Sequence, residues 1–84
     1  MKLIPEFRVG MVTHYFDRIG VAVVELSGVL SLGETIRIGN PGFTQPVDSI
    51  QVEHEKVDSA NKGDSVGLKV SQRVKKGDEV FKVS

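Results

Sequence analysis

At 84 residues the chain can form one small domain with one modest core, because folding at this size hides roughly 60–65% of the surface an unfolded chain exposes. It has no cysteine, so neither a disulfide framework nor a thiolate metal site can brace it, and a formal charge of zero at pH 7 excludes a uniformly basic, polyanion-coating particle. Nine glycines among many Val and Ile favour short strands joined by tight turns.

Residues 1–84 read as a single domain with a lead-in segment over 1–6, where Pro5 suits a strand start or edge. A first strand is expected over 7–16. Gly10, Val12, His14 and Phe16 would share one face, and Val9, Met11, Thr13 and Tyr15 the other. Both faces carry apolar groups, so alternation does not select the core side. Asp17-Arg18-Ile19-Gly20 is a turn. In the second strand, 21–26, the inward set is Ala22, Val24 and Leu26, because Glu25 shares a face with Val21 and Val23. Ser27-Gly28 ends that strand, and 29–32 is a short apolar link.

A third strand spans 35–38, with Ile36 and Ile38 inward. Gly39-Asn40-Pro41-Gly42 is the strongest loop signal. A long strand is expected over 44–54. Ile50 and Val52 share a face there but Val47 is out of phase, and a β-bulge near Asp48-Ser49 would repair the register. Residues 57–62 form a loop. Val66, Leu68 and Val70 then alternate inward against Ser65, Gly67 and Lys69. A basic connection over 71–76 leads to the last strand, 79–83.

One piece of turn chemistry recurs three times: Gly33-Glu34, Gly63-Asp64 and Gly77-Asp78 each open a strand. Glycine accepts positive φ at little cost, and the acid can hydrogen-bond nearby backbone. No stretch has a helical period. Six short strands at near-regular spacing imply an all-β fold, a closed barrel or a small sandwich. Closure is the more economical, since it hides strand edges that so small a chain cannot otherwise cover. No apolar run approaches membrane-spanning length and the N-terminus has no signal-peptide core, so a cytoplasmic location with no membrane contact is expected.

Three blocks carry a family likeness. Residues 24–38, VELSGVLSLGETIRI, resemble the "V-x-x-G-x-[ILV]-x-x-G-[DE]-x-[ILV]-x-[ILV]" block of the second domain of translational GTPases such as elongation factor Tu. Val47-Asp48-Ser49-Ile50-Gln51 resembles that domain's central strand. Residues 60–68, ANKGDSVGL, resemble its "A-x-x-G-[DE]-x-[ILV]-[GA]-[ILV]" block. The ending at 74–80 is similar too, with one extra residue before Val80. Within this superfamily, residues 12–22, VTHYFDRIGVA, most resemble the small barrel that ends collagenase-like peptidase-family proteins. The resemblance covers residues 7–83. It implies a six-stranded Greek-key closed barrel of the translation-protein type. In elongation factors that domain packs on the GTP-binding domain and helps hold the aminoacyl end of tRNA. In the collagenase-like family it is an accessory module, and several members act in RNA modification. The chain lacks G-x-x-x-x-G-K-[ST], so it is not expected to bind GTP by itself. Its last inter-strand link is shorter than in elongation factor Tu, and no pocket residue is carried over.

The residues themselves offer one basic cluster, Lys69, Arg73, Lys75 and Lys76, which could meet a phosphate backbone; a solvated surface loop is the plainer reading of such a charge run. Tyr15, beside His14 and Phe16, could stack a base. The plainer alternative puts Phe16 in the core and Tyr15 half-buried on the other face. His14 and His54 have no partner at metal-ligand spacing, and no metal or cofactor is expected. No catalytic constellation stands out, so an enzyme is not expected. Two functions compete: a non-catalytic module binding tRNA, rRNA or a ribonucleoprotein, and a protein-docking accessory domain for a larger partner enzyme, without nucleic-acid contact of its own.

Overall fold

The computed structural model describes residues 6–39 and 42–83. Most of the lead-in segment, and Asn40-Pro41 of the glycine-rich loop, lie outside the described residues. Ten strands run in chain order: β1 (Glu6–Phe16), β2 (Val21–Leu26), β3 (Leu30–Ser31), β4 (Thr35–Gly39), β5 (Gly42–Pro46), β6 (Ile50–Val52), β7 (Glu55–Val57), β8 (Ser59–Ala60), β9 (Ser65–Lys69) and β10 (Glu79–Val83). The fold is all-β. Among the described residues no helix is long and apolar enough to cross a membrane. Eight strands make one antiparallel sheet in the order β5-β4-β10-β1-β2-β9-β6-β7, and β3 pairs with β8 in a second.

The six-strand closed barrel therefore needs correction. The large sheet has two ends, β5 and β7, and no backbone ladder joins them among the described residues. The extra strands have a local cause. The stretch expected as one strand over 44–54 leaves the ladder after Pro46. Val47 instead donates its N–H to Glu34 O and accepts from Gly33 N, at 2.8 and 3.0 Å. This turns the Val47 side chain into the core, and Ile50 resumes pairing against Leu68. Val47 is indeed out of phase, but a break absorbs the mismatch where a bulge was expected. The supposed loop over 57–62 contains β8, which pairs Ala60 with Leu30 of the apolar link. One side chain spans the gap between β5 and the end of β9. Gln45 donates from Nε2 to Lys69 O and accepts from Ser71 N, both at 2.8 Å.

β1 resolves its ambiguous pattern with two register shifts, one between Arg8 and Gly10 and one between Val12 and His14. Each inserts a residue and flips the phase of the strand beyond it. Val9, Gly10 and Val12 are buried, while His14 and Phe16, nominally on the face of Val12, point outward. Gly10 is required sterically: a Cβ there would lie 2.6 Å from Val24 Cγ1 and 2.7 Å from Glu25 O.

The three Gly-acid turns are one device used three times. Gly33, Gly63 and Gly77 have φ of 87°, 93° and 95°. The following acid closes each turn with its side chain: Glu34 Oε1 accepts from Ser31 N at 2.7 Å, Asp64 Oδ2 from Asn61 N at 2.9 Å, and Asp78 Oδ2 from Lys75 N at 3.1 Å. The core between the sheet faces joins Val12, Val24, Leu30, Ile36, Ile38, Ile50, Val66, Leu68 and Val80, all almost fully buried. Each such side chain contributes on the order of 1.5–3 kcal/mol, well above any strand propensity difference.

Candidate interaction groove

Alternation on β2 and β9 sends Ala22, Val24, Val66 and Leu68 into the core and leaves Val21, Val23, Gly67 and Lys69 on the outer face. The register aligns these across strands. His14, Val23, Gly67, Gln51 and Lys56 form one outer row, and Phe16, Val21 and Lys69 the next. The first row has no side chain at Gly67. An open groove of about 250 Å³ results, with Phe16, Ile19, Val21 and Val23 as its apolar wall. Glu53 and His54 also line it. They form the two-residue turn of the β6–β7 hairpin, with φ of 51° and 68°. Positive φ at both positions is the twist such a hairpin needs, at roughly 1–2 kcal/mol per non-glycine residue.

Phe16 is 46% and Ile19 57% exposed, high values for large apolar side chains. The turn that displays them is anchored from below. Lys69 Nζ donates to Ile19 O at 2.7 Å, and Val70 N donates to Gly20 O at 2.9 Å. Arg73 Nη2 sits 3.8 Å from Asp17 Oδ2, an exposed pair that contributes little by itself. The His14 ring meets Phe16 edge-on, with centroids 4.4 Å apart. The apolar tips are thus held ready on a braced support, which lowers the ordering cost of any contact they make.

Of the residues expected to contact nucleic acid, Tyr15 and Lys69 fall on opposite faces of the sheet. Tyr15 pairs with buried Ala22 and packs half-buried against the core, while Lys69 stands exposed on the outer face. The aromatic on the outer face is Phe16, the reverse of its expected place, because the shift after Val12 inverts the phase. Lys69 and Arg73 both reach the β1–β2 turn, Lys69 with one hydrogen bond to Ile19 O and Arg73 beside Asp17. Lys75 and Lys76 are exposed on the third Gly-acid turn, which Gly77 N and Asp78 O fasten to Val12. His14 and His54 lie on the groove side, and no cluster of metal-ligating groups occurs among the described residues. Sequence reasoning passed over the groove itself. Its signal was the apolar pair Val21 and Val23 on the outward face with Glu25.

No family model matches the chain. It is 34% identical over 79 residues, 90% of its length, to an uncharacterized protease of Methanocaldococcus jannaschii, and 35% identical over 78 residues to a collagenase of Porphyromonas gingivalis. It spans about a fifth of these relatives, 19% and 22% of their lengths. Among solved structures it resembles the C-terminal domain of a Geobacillus thermoleovorans protein assigned to the U32 peptidases: TM-score 0.84, 25% identity, 98% of this chain and 97% of that one. The selenomethionine variant of that domain matches with a TM-score of 0.82 and 23% identity, over 87% of this chain and 95% of that one. In sequence and in fold, the chain is homologous to the C-terminal domain of the collagenase-like U32 peptidases.

Proposed function

We propose that this chain is a non-catalytic docking domain that packs its outer groove against a larger protein of the U32 peptidase type. The observation that carries the reading is the braced apolar wall of Phe16, Ile19, Val21 and Val23 on a face that the core does not use. Such a patch beside a polar surround is characteristic of an interface. The relatives' length supports it, since four fifths of each lies outside the match and offers a body to dock on. The finer kinship, a barrel of the translation-factor type, rests on the three sequence blocks and on Gln45 bridging the sheet's open seam.

A second reading, contact with tRNA or rRNA, keeps one specific support. Lys75 and Lys76 are exposed and have no ion-pair partner among the described residues. Capture of partners from lysate, with and without RNase, separates the two. Docking predicts a protein partner that survives RNase and is lost on Ile19→Asp. Capture that RNase abolishes, and that Lys75→Glu with Lys76→Glu weakens while Ile19→Asp does not, would overturn docking in favour of RNA.

A further inference from the structure

Gly67 lies in the middle of a paired strand, between Val23 and Gln51, with no positive φ. A Cβ built there would meet only Val21 Cγ1 at 3.4 Å and Gln51 Cβ at 4.0 Å, both ordinary contacts. Neither backbone conformation nor crowding therefore demands glycine at this position, in contrast to Gly10. What the missing side chain does create is the floor of the outer groove. The turn that presents Ile19 at one end of the apolar wall also carries Arg18 and receives Lys69, while Asp17 there faces Arg73. Arg18 is exposed in the braced turn without an ion-pair partner among the described residues, and Lys69 closes the row of Phe16 and Val21. Lys69 uses one of its three donors on Ile19 O and keeps the others.

We propose that Gly67 is an open seat for an aliphatic side chain of a partner protein, and that a carboxylate beside that side chain on the partner meets Arg18 and Lys69. The assignment rests on the docking reading and specifies its chemistry: an acidic-aliphatic segment, chosen by charge complementarity at one end of the groove and by the vacancy on its floor.

The test is a phage-displayed library of random twelve-residue peptides, panned on the intact chain. Selected peptides are then titrated by fluorescence anisotropy against wild type, Gly67→Val, Gly67→Ala, Arg18→Glu and Ile19→Asp. The expected winners carry Leu, Ile or Val beside Asp or Glu. Gly67→Val weakens them by about tenfold or more without lowering Tm, and Arg18→Glu weakens them by about tenfold. Gly67→Ala, whose Cβ has room, serves if the valine variant folds poorly, and should give a smaller loss in the same direction. Winners that bind both Gly67 variants as tightly as wild type but are lost on Ile19→Asp would overturn the seat and leave docking standing. Winners without an acidic preference would overturn the role of Arg18 and Lys69. Failure to select any peptide, or displacement of the winners by a polyuridine RNA, would overturn both the seat and the docking reading.

Discussion

Gln45 carries a seam that backbone pairing leaves open, and replacing it with leucine measures what the seam contributes. The side chain is only 9% exposed and makes two hydrogen bonds, to Lys69 O and from Ser71 N, at 2.8 Å each. Leucine nearly matches glutamine in volume, so no large cavity forms and the loss is chiefly polar. Two such bonds contribute about 1–3 kcal/mol net. Lys69 and Ser71 are exposed residues whose backbone groups water can reach once the bridge is gone, which places the loss in the lower half, about 1–2 kcal/mol. For a domain of this size that lowers Tm by roughly 5–15 °C. Gln45→Glu should cost more at neutral pH, because a carboxylate can still accept from Ser71 N–H but cannot donate to the Lys69 carbonyl. Thermal melts and urea titrations give the stability, and hydrogen exchange at the Ser71 amide reports the bridge directly. A leucine variant melting within about 1–2 °C of wild type, together with an unprotected Ser71 amide in the wild-type protein, would refute the argument that this side chain closes the sheet.

Gly10→Ala should destabilise by about 1–3 kcal/mol in a urea titration, because the new methyl meets Val24 and the Glu25 carbonyl at 2.6 and 2.7 Å. Gly63→Ala should cost about 1–2 kcal/mol for a different reason: nothing lies within 4 Å of the added Cβ, so calorimetry reads the strain of φ 93° alone. Glu34→Ala removes both the Ser31 N–H acceptor and the ion pair with Lys82 Nζ at 3.0 Å, and should lose about 1.5–3 kcal/mol; Glu34→Gln keeps the Ser31 bond and should lose about 0.5–1. Leu68→Ala should remove about 2–5 kcal/mol, the cost of an emptied site in the middle of the core, measured by chemical denaturation.

The β2, β4 and β9 patterns were legible because each strand is regular and buried on one side, so Ala22, Val24, Leu26, Ile36, Ile38, Val66 and Leu68 sit where their alternation places them. The Gly-acid turns were legible for a similar reason: residues three apart satisfy one another, and no distant partner is needed. Where β1 puts its side chains was not legible. Its two register shifts are set by β10 on one side and β2 on the other, and a sequence does not state which neighbour a strand will acquire. That one fact moves Tyr15 inward and Phe16 outward, and it leaves Tyr15 and the exposed Lys69 on opposite faces of the sheet. The groove has the same origin. His14, Val23, Gly67 and Gln51 are far apart along the chain and become one row only through four strands in register. Local chemistry thus determined the regular strands β2, β4, β9 and β10, the Gly-acid turns and their share of the core from the sequence alone, whereas the short strands β3 and β8, the break at Val47, the sheet's open seam and its outer face were decided by long-range pairing, whose partners are chosen only when the whole core closes.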